Sequence, residues 1–472
     1  MTQLQDAAAR AGGGPGEQLV GHFDALTDAF ERHGFFGCPF VSAAVEADLD
    51  AEARAVTMQH TRRRQAWLTE LSEKAGADDA SALARQIGLL IDGALALGRL
   101  LQDRAVVEER SRRHACSSAV TSDRGRCTTV PAAYPHQRRQ GRGAVVRAAV
   151  LREFGTPLVL AEIDKPDIGP GQVLVKVEAS GVNPLDTKIR AGKAAHARRT
   201  LPAVLGLDLA GVVEEVGPGV HGFTPGDEVF GMTGGVGDVQ GSLAEFAAVD
   251  ARLLARKPAS LTAREAAALP LVVITAWEGL VDRAQVHAGQ RVLIHGGAGG
   301  IGHVAVQITR ASGAEAFATA SPPRLEVVQR LGAIPIDYTA ATVDEYVAKH
   351  TGGEGFDVVF DTVGGSVLDD SFTAVRTYTG HVVSALGWGT HSLAPLSFRG
   401  ATYSGVFTLL PLLTGRGREH HGEIMREAAA LADAGALKPL LDPRHFTLAD
   451  VAAAHAAVES GTAQGKVVID IG

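Results

Sequence analysis

The distribution of hydrophobic and polar residues changes character twice along the chain. Between residues 17 and 109, apolar side chains recur at helical spacing, most regularly over 81–101, where Ser81 is a candidate N-cap. Residues 110–145 have no periodicity and few aliphatic side chains, so they cannot bury enough apolar surface to offset the entropy of ordering. We therefore predict a small α-helical segment at 1–109 and a disordered linker at 110–145.

Short alternating runs of apolar and polar residues begin at Val146. Turns such as Gly217-Pro218-Gly219 and Pro225-Gly226-Asp227 separate them, which predicts an irregular β-rich domain over residues 146–272. Further along, strand-like and helix-like segments alternate, and this pattern specifies a parallel sheet with helices on both faces. The predicted fold class is therefore α/β, with a doubly wound parallel sheet over residues 273–409.

Composition limits the partners and the compartment. The 472 residues carry a formal net charge of -8, so no basic field predicts a nucleic-acid partner. The N-terminus lacks a basic segment followed by an apolar one, and the most apolar stretch, 266–281, is interrupted by Pro270 and Glu278. We therefore expect a cytoplasmic protein without a membrane partner.

The three cysteines are Cys38, Cys116 and Cys127, all in the first third of the chain. An odd number without a signal peptide argues against a disulfide framework. Because no cysteine follows Cys127, no thiolate is available to a metal in the β-rich or parallel-sheet regions.

A glycine-rich turn separates the buried strand-like segment 291–296 from the helix-like segment 303–311. It fits G-x-G-x-x-G and consists of Gly297, Ala298, Gly299, Gly300, Ile301 and Gly302. Glycine is needed in such a turn where backbone approaches a diphosphate, and the N–H groups and dipole of the helix N-terminus favour that anion. We predict a dinucleotide diphosphate here, and a purely structural turn is the alternative.

The second strand of the alternating region, 314–320, predicts which dinucleotide binds. NAD-specific sites end this strand with an acidic residue, which holds the ribose 2′-hydroxyl. Here Ser321 and then Arg324 follow the strand, whereas Glu315 stands at its other end. A hydroxyl and a guanidinium suit a 2′-phosphate, so the sequence predicts NADPH, even if Arg324 is only a solvated residue of the next helix.

Later strands of this sheet end in polar or glycine-rich segments. Because ligands of open α/β sheets lie across the carboxyl ends of the strands, we expect these segments to border the adenine, ribose and nicotinamide sites. Each segment taken alone is also typical of a plain turn. The candidates are Tyr338 after the third strand, Val363 and Gly364 after the fourth, and Ala385 and Leu386 after the fifth.

Several motifs resemble those of zinc-free medium-chain dehydrogenases/reductases of the quinone oxidoreductase group, over residues 146–472. Besides the glycine-rich turn they are GVNPLD (181–186), LGLDLAG (205–211), GDEVFG (226–231), LPLVVITAWEGL (269–280) and GKVV (465–468). The resemblance implies a GroES-like catalytic domain at 146–272, completed by 410–472, and a Rossmann NADPH-binding domain at 273–409. It also implies an active site in the cleft between them and a homo-oligomer, either a dimer or a tetramer.

The resemblance further implies roles for individual residues. Asn183 and Thr275 are expected at the nicotinamide end of the cofactor, with Lys466 as another cofactor contact. The residues expected around the 2′-phosphate are Ser321, Arg324 and Tyr338.

The motifs differ from those of zinc-dependent relatives. Alcohol dehydrogenases place a Cys ligand where this chain has Asn183, and His-Glu where it has Leu207-Asp208. These residues do not supply the N and S ligands of zinc, so we predict no metal. Without a Lewis acid, hydride addition to a conjugated acceptor is easier than oxidation of a simple alcohol, because the negative charge spreads to an oxygen.

The predicted reaction is therefore NADPH-dependent, zinc-independent reduction of a small molecule, either a quinone or an α,β-unsaturated carbonyl compound. Several quinone reductases have a tyrosine where Lys188 stands, so a tyrosine donor at that position is not carried over. A solvated surface amine is the other interpretation of Lys188. The candidate catalytic groups are Asn183, Asp186, Lys188 and Tyr403.

Two other functions remain open from the sequence. An enoyl-thioester reductase would use a basic patch for a pantetheine phosphate, for which the candidates are Arg190, Lys193, Arg198 and Arg199. A ligand-sensing regulator with a passenger reductase is the other, since Gly37-Cys38-Pro39-Phe40, Trp67 and residues 91–94 resemble the ligand-binding half of TetR-family regulators. The DNA-reading helices of that family are not seen before this segment, so no DNA-binding function is transferred.

The first 145 residues are expected to be dispensable for catalysis. Relatives commonly begin with Met-Arg-Ala, and Val146-Arg147-Ala148 stands at the corresponding place. We interpret the preceding part as a gene fusion or as the result of a mis-set translation start. The alternative is that its helices dimerise the enzyme or bind a regulatory ligand.

Overall fold

A computed structural model describes residues 51–77, 79–85, 87–88 and 144–472. The chain divides after residue 139 into two compact units. No helix among the described residues is long and apolar enough to span a bilayer.

The first unit contains the helix α1 (Ala51–Lys74), on which Leu68 is fully buried. Asp79, rather than the predicted Ser81, caps the next helical stretch, because its carboxylate accepts the N–H of Ala82 at 2.8 Å. The TetR-like residues 37–40 and 91–94, and the predicted linker up to residue 143, lie outside the described residues.

The second unit begins with the β-rich domain. Its strands are β1 (Val145–Leu151), β2 (Val159–Asp164), β3 (Gln172–Val182), β4 (Ala203–Val204), β5 (Asp208–Val216), β6 (Glu228–Met232), β7 (Phe246–Asp250) and β8 (Ala255–Arg256). Its helices are α2 (Pro184–Arg190), α3 (Ala263–Ala267) and α4 (Pro270–Trp277).

The parallel-sheet domain and the C-terminal segment follow. The strands of the sheet are β9 (Arg291–His295), β10 (Glu315–Ala320), β11 (Ile334–Asp337), β12 (Val358–Asp361), β13 (His381–Ser384) and β14 (Thr402–Gly405). The helices among them are α5 (Gly302–Ala311), α6 (Leu325–Arg330), α7 (Val343–Thr351), α8 (Ser366–Ala374) and α9 (Ala394–Arg399). The last elements are α10 (Leu410–Thr414), α11 (Arg418–Asp433), β15 (Phe446–Thr447), α12 (Val451–Glu459) and β16 (Val467–Asp470).

Two sheets form the β-rich domain. The smaller has the order β2-β1-β4, and the larger has the order β15-β16-β3-β5-β6-β8, with β7 also paired to β3. Strands β3 and β5 approach closely at Gly211, where an added side chain would overlap the carbonyl of Lys176. Because β16 pairs antiparallel with β3, with Val467 opposite Val182, the end of the chain returns to this domain.

The parallel sheet has the strand order β11-β10-β9-β12-β13-β14, with every neighbouring pair parallel. This is the doubly wound order of dinucleotide-binding domains, so the predicted α/β class is confirmed. The strands are apolar because helices cover both faces, and all four residues of β12 are buried. Strand β9 ends at His295, one residue earlier than predicted, because Gly296 already turns the chain with a φ of 75°.

Local sequence signals fix the helices around this sheet. Helix α7 begins with a capping box, in which Glu345 accepts the N–H of Thr342 at 2.8 Å, and ends at Gly352 with a φ of 66°. The direction of the chain reverses between β9 and β12. Their carboxyl ends therefore border a crevice, the usual ligand site of such sheets.

Candidate functional site

The crevice opens into a cleft of about 1200 Å³ between the β-rich and parallel-sheet domains. Most of the predicted site residues line this one cleft. They are Asn183, Lys188, Thr275, Ala298, Gly299, Gly300, Ile301, Ser321, Arg324, Tyr338, Val363, Ala385, Leu386 and Lys466.

The glycine-rich turn forms the floor of the cleft at the start of α5. Gly297 and Gly302 lie beneath the surface, packed so closely that any added side chain would overlap neighbouring atoms. At Gly300 an added Cβ would meet only the side chains of Lys466 and Val272, each at 3.7 Å. Bare backbone therefore faces the cleft beside a helix N-terminus, and this cradle fits a diphosphate.

One corner of the cleft, beyond the ends of β10 and β11, brings together Ser321, Arg324 and Tyr338. The guanidinium of Arg324 donates to the carbonyl oxygens of Gln464 and Ala463 at 2.8 and 3.0 Å, which holds it at the rim. Tyr338 is 57% exposed, so its ring is accessible to a ligand. The corner combines hydroxyls with a cation, and β10 ends without a carboxylate.

Asp361 organises the rim formed by the fourth and fifth strands. Its carboxylate accepts the N–H groups of Val363 and Gly364 at 2.9 and 2.8 Å, and the hydroxyl of Ser384 at 2.7 Å. Gly364 is thus hydrogen-bonded to Asp361 behind the rim, and it is not one of the described residues that line the cleft. The residues of this rim that face the cleft are Val363, Ala385 and Leu386.

A buried ammonium lies at the inner end of the cleft. The Nζ of Lys466 donates to the side-chain oxygen of Asn183 and, at 3.2 Å, to the carbonyl of Val182. Asn183 donates through Nδ2 to Asp208 at 2.8 Å, and Asp208 also accepts the N–H of Leu271 at 2.9 Å. The amide of Asn183 is thereby oriented, since its oxygen must face the ammonium and its nitrogen the carboxylate.

Burial determines the charges of this network. The Nζ of Lys466 lies 3.8 Å from a carboxylate oxygen of Asp208, and the two side chains are 5% and 0% exposed. Burial raises the pKa of Asp208 to about 6 and lowers the pKa of Lys466, while their mutual attraction opposes both shifts. This attraction favours the charged pair, in which a carboxylate faces an ammonium in the protein interior.

Asp186 lies behind Asn183 rather than on the wall of the cleft. Its carboxylate accepts the N–H of Asn183 at 2.8 Å in the first turn of α2, and burial raises its pKa to about 7. Asp186 is 1% exposed and caps the helix that carries the cleft residues, and its catalytic role stays a prediction.

The remaining polar candidates differ in position. Thr275 is buried in α4, and its hydroxyl donates to the carbonyl of Leu271 at 2.7 Å, whereas Lys188 is exposed on α2. Tyr403 is not one of the described residues that line the cleft, and its ring packs edge-on against Phe372 of α8 at a centroid distance of 6.0 Å. The catalytic role of Tyr403 stays a prediction.

Two cleft-lining histidines, His295 and His303, were missed from the sequence. The Nδ1 of His303 lies 3.0 Å from the carbonyl of Gly299 and must donate there, because a carbonyl can only accept. Burial lowers the pKa of each histidine to about 4, so both are neutral at physiological pH. The Nε2 of His303 is therefore a buried acceptor, and the described residues offer it no partner.

Three aromatic rings that meet in the cleft were also missed. His196 stacks on Trp388 with ring centroids 5.1 Å apart and an interplanar angle of 24°. Phe407 contacts both rings edge-on, at centroid distances of 5.9 Å from His196 and 6.1 Å from Trp388. We call these three residues the aromatic box. They are far apart in the sequence, so no local pattern indicates them.

Two family models match the second unit. The model described as alcohol dehydrogenase GroES-like domain matches residues 169–259. The model described as zinc-binding dehydrogenase matches residues 331–469. Both models correspond to the domain types implied by the sheet topology.

Individual relatives agree with these models. The chain is 36% identical over 335 residues to the chloroplastic NADPH-dependent alkenal/one oxidoreductase of Arabidopsis thaliana, covering 69% of this chain and 79% of the relative. An alcohol dehydrogenase superfamily protein from Novosphingobium aromaticivorans shares 59% identity, with a TM-score of 0.68, covering 69% of this chain and 100% of its own. The quinone oxidoreductase from Coxiella burnetii shares 28% identity with a TM-score of 0.60, covering 70% of this chain and 100% of its own.

The strand order, the glycine-rich turn in the cleft and these similarities lead to one assignment. The chain belongs to the medium-chain dehydrogenase/reductase family, as a quinone oxidoreductase-like enzyme that uses a nicotinamide cofactor.

Proposed function

We propose that the chain catalyses NADPH-dependent, zinc-independent reduction of a quinone or of the conjugated double bond of an α,β-unsaturated carbonyl compound. The observation that carries the proposal is the inner end of the cleft, where the buried ammonium of Lys466 contacts Asn183. Fixed charges and dipoles of this kind polarise a bound ligand without a metal. The names of the Arabidopsis and Coxiella relatives support the same acceptor classes.

The residues around the cleft fit NADPH. The bare backbone at Gly299 and Gly300 suits the diphosphate, and the corner containing Ser321 and Arg324 suits a 2′-phosphate. The Nε2 lone pair of His303 suits a donor such as a ribose hydroxyl or a carboxamide nitrogen. Because β10 ends without a carboxylate that would repel the phosphate, these features favour NADPH over NADH.

The same residues do not fit a zinc ion. Catalytic zinc takes three protein ligands, usually His, Cys or a carboxylate, and leaves one position open. Here the amide oxygen of Asn183 already accepts from the ammonium of Lys466, and a second cation at this place would be repelled. Within the described ranges, no group of three or more His, Cys, Asp and Glu side chains is arranged to hold a metal ion. The proposal therefore includes no step through zinc.

When bound, NADPH supplies the hydride, and the residues of the chain supply position and polarity. Hydride addition to a conjugated acceptor moves negative charge onto its carbonyl oxygen, where a hydrogen-bond donor stabilises it. Lys188 is the candidate donor, because it is exposed on the cleft wall. Lys466 is held by Asn183 and Val182, so its role is to position the amide.

An enoyl-thioester reductase is the alternative within the same family. It needs a basic patch for the pantetheine phosphate, and two of the four predicted patch residues already contact other groups of the chain. Arg190 forms an ion pair with Glu459 at 2.7 Å. Arg199 donates to the carbonyl oxygens of Gly237 and Val239 at 2.7 and 2.8 Å. The charge of Arg190 is neutralised by Glu459, which favours a free quinone or enone over a pantetheine thioester.

The proposal is tested by measuring oxidation of NADPH and NADH by the full chain, with quinones, enones, saturated aldehydes and enoyl thioesters as acceptors. We expect turnover of quinones or enones, a preference for NADPH, and the same rates after treatment with a chelator. Reduction of saturated aldehydes that is lost on chelation and restored by zinc would contradict the proposal. Turnover of enoyl thioesters and of no other acceptor would support the enoyl-thioester reductase instead.

A further inference from the structure

The aromatic box joins the two walls of the cleft. His196 lies in the short turn Ala195–Ala197 of the β-rich domain. Trp388 lies in the loop after β13, and Phe407 follows β14 of the parallel-sheet domain. The stack of His196 on Trp388 therefore spans the cleft, and a ligand entering between the domains meets these rings.

Hydrogen bonds hold the backbone segments that carry the two stacked rings. The backbone N–H of Trp388 donates to the carbonyl of Leu386 at 2.8 Å. The imidazole of His391 lies 3.3 Å from the carbonyl of Trp388 and 2.9 Å from a carboxylate oxygen of Asp369, which ties the loop to α8. On the other wall, the carbonyl of Ala197 accepts a backbone N–H at 2.8 Å. The backbone on both walls of the box is thus held by hydrogen bonds.

Trp388 is 54% exposed although it lines the cleft. Exposing a large aromatic surface to water is unfavourable, and such surfaces are characteristic of binding sites. Flat aromatic ligands gain more binding free energy on this surface than aliphatic chains of similar size. Stacked and edge-to-face ring pairs stabilise a complex beyond the contribution of the buried apolar area. The rings of the box offer both geometries.

We propose that the aromatic box is a specificity site that selects acceptors with an aromatic ring fused or conjugated to the reacting carbonyl group, such as naphthoquinones and aryl enones, over aliphatic alkenals. This inference rests on the proposed function, since it names the substrate class of the same reductase site. His196 covers one face of Trp388 from the opposite wall and Phe407 closes its edge. The exposed remainder of the Trp388 ring is the surface on which the ring of the acceptor stacks.

Steady-state kinetics of Trp388→Ala, with a naphthoquinone and an aliphatic alkenal as acceptors, test the selection. We expect KM for the naphthoquinone to rise about three- to tenfold, as the loss of one ring pair implies, with little change for the alkenal. Trp388→Phe should keep most of the wild-type KM, because a stacking ring remains. Tyr378→Ala is the matched control, since Tyr378 is 83% exposed and is not one of the described cleft residues.

A binding measurement separates this inference from the proposed function. The chain has three tryptophans, so the difference in fluorescence between wild type and Trp388→Phe isolates the signal of Trp388. We expect the naphthoquinone, added without NADPH, to quench that signal, and His196→Ala to weaken the quenching. An equal rise of KM for both acceptors, or quenching independent of Trp388, would overturn the inference and leave the proposed function standing. Absence of turnover with every acceptor would instead overturn the proposed function, and the quenching alone would then decide whether the box binds aromatic rings.

Discussion

Replacing Lys466 by methionine removes the buried ammonium while keeping a side chain of similar length. The variant leaves the carbonyl of Val182 and the amide oxygen of Asn183 without their donor. Each buried acceptor left unpaired costs about 1–3 kcal/mol, and breaking a buried ion pair by removing one partner costs about 3–5 kcal/mol in total. We therefore expect Lys466→Met to lower the free energy of unfolding by about 3–5 kcal/mol at neutral pH.

The pH dependence of this loss follows from Asp208. Its pKa in the folded protein, about 6, is raised above the unfolded value, so its contribution to stability decreases as the pH rises through the folded pKa. Without the ammonium of Lys466 the folded pKa of Asp208 rises further. In the variant, the free energy of unfolding therefore continues to decrease up to a higher pH. The difference between wild type and variant therefore grows by about 1.4 kcal/mol per pH unit above pH 6, until the new pKa is reached.

Urea unfolding at about pH 5.5 and about pH 8 measures both parts of this prediction. Lys257→Met is the matched control, because Lys257 is 7% exposed and donates to the carbonyl of Leu261 at 2.6 Å, but does not line the cleft. Its ionic partner, Glu228, is 58% exposed, so we expect a smaller loss that does not grow with pH. The reasoning about the buried pair would be refuted if Lys466→Met lost no more free energy of unfolding than the control and if its loss were equal at both pH values.

Four further predictions follow from the site. Gly300→Ala should fold normally but bind NADPH more weakly in a fluorescence titration, whereas Gly302→Ala, whose methyl would overlap the carbonyl of Gly296, should lose about 1–3 kcal/mol of stability in urea unfolding. Arg324→Ala should reduce the preference of kcat/KM for NADPH over NADH by about 1–3 kcal/mol; an unchanged ratio would exclude a phosphate contact. The pKa of His303 in the folded protein is lowered to about 4, so the protein loses free energy of unfolding as the pH falls from about 6.5 towards 4. Urea unfolding of His303→Gln should show a smaller loss over this range, by up to about 1.4 kcal/mol per pH unit. A protein that starts at residue 144, with β1 intact, should keep the kcat/KM of the full chain; a loss of more than about tenfold, about 1.4 kcal/mol, would make the first part functional.

The sequence predicts the parallel sheet and the floor of the cleft well, because both depend on short-range patterns. The glycine-rich turn stands between a buried strand and a helix, and its spacing places it at the sheet edge where ligands bind. Ser321, Arg324 and Tyr338 follow the ends of neighbouring strands, and they meet in one corner for the same reason. Alternation of strand and helix is enough to bring these residues together.

The positions of two predicted catalytic side chains depend on information that spacing does not supply. Tyr403 lies on a strand of the right sheet, but its ring packs against Phe372 of α8, and the sequence does not say which face it takes. Asp186 stands three residues after Asn183, which is the spacing of a helix cap. A structural interpretation of Asp186 was therefore available from the sequence.

The interactions that define the inner end of the cleft are long-range. Lys466 and Asn183 are 283 residues apart, and they meet because β16 pairs with β3. The rings of His196 and Trp388 likewise come from different domains. Such contacts depend on how the domains pack, so neither the pairing of Lys466 with Asn183 nor the aromatic box follows from periodicity or motifs.

The most direct test of the proposed reaction is to follow deuterium from NADPH labelled at the nicotinamide C4 position into the product of an aryl enone. The account predicts a saturated ketone with deuterium on the β-carbon, formed equally well after chelator treatment. An allylic alcohol with deuterium on the former carbonyl carbon would contradict it, because that product arises from carbonyl reduction rather than from hydride addition to the conjugated double bond.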